Sequence, residues 1–224
     1  ASYTIWGYED VARDIGATLI DLNTPAPYSD FTTTPAGGHV YPAFTFNPIL
    51  ENIDTFISVG KMKCHWSCGV THTMKNLIGL VPAAHYRLSE EHNNRSAFHG
   101  VGDEFSQRLP KIIIDLNQAR PIHLALIDGI KTTEGGEGPW IASLSPVEPG
   151  VLIAGKNPVA TDAVATAIMG FDPGVAGFSV PFIRSENYLN LARELGLGTN
   201  HLDDIAVIGA GIADVRHPFE PCWE

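Results

Sequence analysis

The sequence predicts an α/β fold: a three-layer, mostly parallel sheet with helices on both faces. Two observations carry that reading. Apolar runs of strand length at 53–59, 122–128, 151–154 and 205–209 stop at a glycine or an acid. They alternate with stretches of helical character, the order that winds a parallel sheet.

Taken in order, residues 8–16 (YEDVARDIG) read as a helix closed by Gly16, and 17–22 (ATLIDL) as a strand. The opening Ala1-Ser2-Tyr3-Thr4 shows no initiator methionine and no signal-peptide pattern, so the chain reads as beginning inside a domain. Residues 23–51, rich in Pro, Thr and Gly, form a long irregular excursion with a short hairpin around Gly37-Gly38. It lies over a site or covers a partner surface. The run Ile53–Val59 reads as a buried strand ending at Gly60. The stretch 61–76, KMKCHWSCGVTHTMKN, follows it, and Leu77–Pro82 reads as a short helix stopped by proline.

His85, His92 and His99 sit in a polar setting at 83–103. Residues 104–119 are amphipathic and helical in pattern, and Pro110 predicts a kink or break there. Ile122–Asp128 is the clearest strand, followed by the glycine-rich acidic loop 131–140. Helices follow at 158–169, with Pro158 at its first turn, and at 186–195, and Ile205–Gly209 reads as the last strand.

The 224 residues suffice for one large α/β domain. A net charge of −11 argues against a nucleic-acid or anionic-membrane binder, since no basic excess is present to neutralise phosphates. No apolar run is long enough to span a bilayer. Cys64, Cys68 and Cys222 are too few for a disulfide scaffold, and no iron–sulfur motif is present. Their plainest reading is as ordinary thiols.

Chemistry concentrates at 61–76. Lys63 and His65 are two apart and share a face if strand geometry continues. Lys75 and Asn76 lie on the following helix, with Thr71 one turn earlier. Lysines, a histidine and helix-terminal N–H groups make an anion pocket for phosphate or carboxylate. Solvated lysines on a polar helix end are the alternative. His65, His72 and Asp128 offer a second reading as ligands of a divalent transition metal, although His-x6-His is no diagnostic spacing and nearby ammonium groups repel a cation. Glu137, on a loop that lacks the phosphate-loop pattern, serves as acid, base or ligand, or merely ends a tight turn. Asp162 either complements a helix dipole or orients Lys75 or a metal.

The succession K-x-K-x-H, GVTHTMKNLIG, a D-G strand end, EGGEGP, VLIAGKNPVATDAVATAIMGFDP and ENYLNLARELGLGTNHLDDIAVIG resembles the domain-of-unknown-function 362 family over nearly the whole chain. The resemblance implies an α/β fold and fixes no reaction. It implies a single domain over 1–224 that lacks an N-terminal βαβ portion, completed by an N-terminal segment or a second subunit. It also implies an exported protein that folds before passage through the twin-arginine route. Some relatives carry an attached iron–sulfur domain, for which this chain has no matching cysteine run.

The functional expectation is an enzyme acting on a small anionic molecule, with or without a metal. Lys63 and Lys75, with Thr71, Asn76 and Asp162, bind it; His65, Asp128 and Glu137 carry the chemistry. Its alternatives are a non-catalytic anion- or metal-binding protein and an interaction subunit.

Overall fold

The computed structural model describes residues 2–23, 30–92 and 94–223. Part of the long excursion, 24–29, lies outside the described residues.

Helix α1 (Ser2–Ile5) and helix α2 (Tyr8–Ile15) open the chain. Gly16 closes α2 in the left-handed region, returning its N–H to the carbonyls of Ala12 and Arg13. Strands β1 (Thr32–Pro35) and β2 (Ala43–Phe46) form an antiparallel hairpin around Gly37-Gly38. Its connection is held by Asp115, whose carboxylate accepts the backbone N–H groups of His39, Val40 and Tyr41 at 2.8–2.9 Å. Three donors on one buried acid keep this polar backbone satisfied against the core.

The central sheet has three strands: β3 (Ile57–Lys61), β6 (Leu124–Gly129) and β9 (Val151–Gly155), in the order β3-β6-β9. β3 pairs with β6 in parallel, and β9 runs antiparallel to β6. Three small antiparallel pairs complete the strands: β1 with β2, β4 (Lys63–His65) with β5 (Gly69–Thr71), and β7 (Thr132–Glu134) with β8 (Ser145–Val147). The α/β class therefore holds, but the expected mostly parallel sheet does not. β9 reverses because the link from β6 is a hairpin-bearing excursion rather than a crossover helix, and strands so joined run antiparallel. Residues 17–22 and 205–209, expected as strands, form no ladder among the described residues.

Helices cover one face. α3 (Thr73–Asn76) packs on β3, and α6 (Pro158–Ile168) packs on β6 and β9. Gly60 allows the first contact: a Cβ there would meet the His72 carbonyl group at 2.6–2.7 Å. α6 starts at Asn157, whose side chain accepts the Ala160 N–H at 2.9 Å, with Pro158 inside the first turn. Behind these lie α4 (Ser96–His99), α5 (Phe105–Ala119) and α7 (Tyr188–Glu194).

Pro110 does not break α5. A proline at 110 has no N–H for the carbonyl of Ser106, four residues back. That carbonyl instead accepts the Glu186 N–H at 2.9 Å. Tertiary structure supplies the missing donor.

Along β3 and β6 the covered positions are Ser58, Gly60, Ala125 and Ile127, all buried. The alternate positions point to the other face, against which no helix packs closely among the described residues. There Ile57 is 46%, Val59 55% and Leu152 62% exposed.

Candidate functional site

The sequence 61–76 folds as a strand end, a tight hairpin and a helix start. β4 and β5 pair Lys63 with Thr71 and His65 with Gly69, so Lys63 and His65 share the hairpin face that keeps access to solvent. Cys64, between them, turns inward and is buried. Gly69 takes φ +75, and a Cβ on it would strike the Phe182 ring, so only glycine fits the corner.

α3 then begins against a buried carboxylate. Asp162 accepts the N–H of Thr73 and of Met74, each at 3.0 Å, and the Thr73 hydroxyl. Two orphan amides at the start of a one-turn helix are thereby satisfied, and Lys75 is set facing the hairpin. Burial pushes Asp162 up to about 7, against the three hydrogen bonds, which favour the carboxylate.

Around this corner four basic side chains gather. The electrostatic neighbours of His65 are Lys75, His99 and Lys63. Those of Lys75 include Cys68, Glu137 and Lys63. Lys63 Nζ donates to the backbone carbonyl of Glu137 at 3.1 Å. Among the described residues the Lys75 amine has no carboxylate within ion-pair distance, and the Thr71 hydroxyl, buried opposite Lys63, has no hydrogen-bond partner.

Burial lowers the pKa of Lys63 and of Lys75; Lys61 adds to the fall at Lys63 and Lys63 to that at Lys75, while Glu137 opposes it at both. Burial, then Lys75, His99 and Lys63, holds His65 well below its ordinary value, so the ring is neutral at pH 7. His99 is exposed at the mouth; desolvation of its inner side and Lys75 lower it as well. The Ser67 N–H points at His65 Nδ1 at 3.2 Å, which assigns Nδ1 as acceptor and puts the proton on Nε2. His65 therefore presents an N–H donor to the recess. That tautomer suits an anion and opposes metal ligation through Nε2.

The glycine loop 134–139 forms one wall. The Glu137 carboxylate accepts the Trp66 N–H at 2.9 Å and the Trp140 indole N–H at 3.3 Å. The loop is strapped from outside by residues 217–223. Gly135 N–H donates to the Glu220 carbonyl at 2.9 Å, Glu220 N–H to the Glu134 carboxylate at 2.8 Å, and the Cys64 thiol to the same Glu220 carbonyl at 3.2 Å. Arg184 holds the strap through the carbonyls of Cys222 and Trp223 and lies 4.7 Å over the Trp66 ring. All three cysteines are buried, and among the described residues none is in a disulfide. Burial pushes Cys64 up to about 12 and Cys68 to about 11, so both are thiols rather than thiolates at neutral pH.

The structure thus gathers Lys63, His65, Thr71, Lys75 and Glu137, and adds His99, Trp66 and Arg184. His99 was legible only as one of three histidines in a polar stretch. Other expected members lie elsewhere. Asp128 pairs with Lys61 at 2.7 Å at the end of the central sheet and accepts the Ile130 N–H. Asn76 donates to Ser58 Oγ and to the Val59 carbonyl, bracing α3 on β3. Asp162 is the anchor beneath the site. His72 is buried behind the hairpin with Nε2 3.3 Å from Thr166 Oγ1, and burial lowers its pKa to about 3. His65, His72 and Asp128 therefore do not converge, and among the described residues no group of three or more His, Cys, Asp or Glu side chains is placed to hold a metal ion.

No described helix is long and apolar enough to cross a membrane. A thylakoid-associated protein of Synechocystis sp. is 26% identical over 170 residues, covering 75% of this chain and 48% of that protein. The chain spans about half the length of the curated relative it matches. No solved structure matches. The model of the family described as "Domain of unknown function (DUF362)" matches residues 1–167, a span that includes Lys63, His65, Lys75 and His99, and the chain belongs to that family.

Proposed function

We propose that the protein is an enzyme acting on a small anionic molecule, phosphate- or carboxylate-bearing, held in the recess at the β4–β5 hairpin. One observation carries the reading: Lys63, His65, Lys75 and His99 gather around a single corner, and among the described residues the Lys75 amine has no carboxylate within ion-pair distance, with Glu137 its one acidic electrostatic neighbour. Unpaired, crowded cations are costly, and an anion relieves that cost. Lys63 and Lys75 supply the charge, and the Thr71 hydroxyl supplies a hydrogen bond. His65, neutral, donates its Nε2–H as a hydrogen bond to the anion and stabilises charge that develops there.

A second reading, non-catalytic anion binding, is favoured by the state of the carboxylates. Glu137 is engaged by Trp66 and Trp140, and Asp128 by Lys61, so neither is poised as a base. Saturable binding without turnover selects this reading. The export expected from the family resemblance belongs to the same proposal and is tested by fractionating cells that make the intact protein.

Calorimetric titration with inorganic phosphate and with a small dicarboxylate tests the site. Saturable one-to-one binding that is weakened in Lys75→Met supports it. Equal binding by the parent and by the Lys63→Met/Lys75→Met double variant rejects it.

A further inference from the structure

The three lysines of 61–76 are held in three different ways. Lys61 is ion-paired with Asp128 at 2.7 Å. Lys63 Nζ donates to the Glu137 carbonyl at 3.1 Å. Lys75 has neither kind of tie: among the described residues its amine donates no hydrogen bond and meets no carboxylate within ion-pair distance. The residue is half-buried, so its amine is screened from bulk water yet keeps an approach from the recess. Its electrostatic neighbours include the buried Cys68 thiol and the Lys63 ammonium. Desolvation and the second cation both favour the free amine over the ammonium, the two devices by which a lysine becomes a nucleophile.

The backbone around Lys75 is fastened on both sides. Asp162 accepts the N–H groups of Thr73 and Met74, each at 3.0 Å. Asn117 Nδ2 donates to the Met74 carbonyl at 3.1 Å, and Asn76 Nδ2 to the Val59 carbonyl at 3.2 Å. Such anchoring matters little to a point charge. It matters much to an atom that must form a bond, because reacting atoms have to be held about 3–3.5 Å apart and in line.

We propose, on the reading of the recess as an anion site, that Lys75 is a nucleophile that forms an iminium with a small carbonyl-bearing anion whose carboxylate or phosphate rests on Lys63. The amine nitrogen attacks the carbonyl carbon, and the π pair moves to the oxygen. That oxygen leaves as water with two of the three ammonium protons, while the third stays on the C=N nitrogen. One positive charge is present before and after, so Lys75 still serves the anion once it is bonded. The His65 Nε2–H and the unpartnered Thr71 hydroxyl are the donors on the hairpin that the oxygen meets as it gains charge. The iminium then draws electrons from the bonds at the neighbouring carbon, which suits proton loss or decarboxylation there.

The test is reductive trapping. The whole chain is incubated with pyruvate or with dihydroxyacetone phosphate and sodium cyanoborohydride, then weighed intact and mapped by peptide. The expected result is one reduced adduct per chain, on Lys75, suppressed by excess inorganic phosphate. An adduct from pyruvate assigns the anionic group as a carboxylate, one from dihydroxyacetone phosphate as a phosphate. Lys75→Arg keeps the charge and lacks the nucleophile, so the adduct falls about tenfold or more while phosphate binding persists. Lys131→Arg, at an exposed lysine paired with Glu148, leaves the yield unchanged. Label spread over several lysines, or a yield unaltered in Lys75→Arg, overturns the proposal. Phosphate binding by calorimetry without any adduct also overturns it and leaves the anion site standing, whereas loss of both removes the site as well.

Discussion

The two faces of the central sheet are about equally apolar, yet only one is covered by the helices that follow it. On the covered face Ala125 and Ile127 are fully buried under α6 and neighbouring elements. On the other, Val59 and Leu152 are more than half exposed. Side-chain alternation thus records that a strand was built to be buried twice, without recording what buries it. The covered face owes its cover to neighbours close in sequence: α3 follows β3 and α6 follows β9.

The largest effect is expected beneath the covered side. Asp162→Ala leaves two backbone donors and the Thr73 hydroxyl without their acceptor, and should cost about 3–5 kcal/mol of unfolding free energy in urea titration. Next comes the direct contrast between faces. Ile127→Ala should cost about 2–4 kcal/mol, as expected for a sealed aliphatic site. Leu152→Ala, at a side chain 62% exposed, should cost roughly 1 kcal/mol or less. Equal costs at the two positions would erase the distinction between faces.

Acid sharpens the contrast further, because the buried ionisable groups lie on the covered side. His72, lowered to about 3 by burial, is below its unfolded value of 6.5. The unfolded chain therefore binds the extra proton between those values, and stability present above pH 6.5 is lost as the pH falls. His65 and His99 act in the same direction. Asp162, raised to about 7 from 3.8, acts oppositely: its contribution is full below 3.8 and is lost as the pH rises through 7. Asp162→Asn should therefore steepen the acid loss by up to about 1.4 kcal/mol per pH unit, read from urea midpoints across that range.

Smaller changes concern the recess. Lys75→Met should weaken phosphate binding about tenfold, or about 1.4 kcal/mol, with unfolding free energy unchanged or raised. Smallest of all, Lys61→Met at the rim of the open face should cost below about 1 kcal/mol and leave anion binding untouched, since its pair with Asp128 is part-exposed.

Much of this was legible. Helices at 8–16, 104–119, 158–169 and 186–195 and strands at 53–59, 122–128 and 151–154 announce themselves by period and punctuation, and they form as α2, α5, α6, α7, β3, β6 and β9 with shifted ends, β3 starting at Ile57. Lys63 and His65 share a face because they are two apart on a strand. What was not legible depends on contacts remote in sequence. Pro110 is tolerated through Glu186, and Asp115 holds a loop some 75 positions away. Asp128 is drawn out of the recess by Lys61, its register partner on the neighbouring strand. The runs 17–22 and 205–209 have strand composition, but strand composition needs a partner edge before it becomes a ladder.

The strap at 217–223 has a consequence in time. Its backbone closes on Gly135 and Glu134, its Glu220 carbonyl on Cys64, and its N–H groups at His217 and Phe219 on the carbonyls of Ile168 and Met169. Each of those groups leaves the ribosome before the strap does. The hairpin and the glycine loop can form early, but the wall they share is fastened only when residues 217–223 emerge, so the recess matures later than the elements that line it during synthesis.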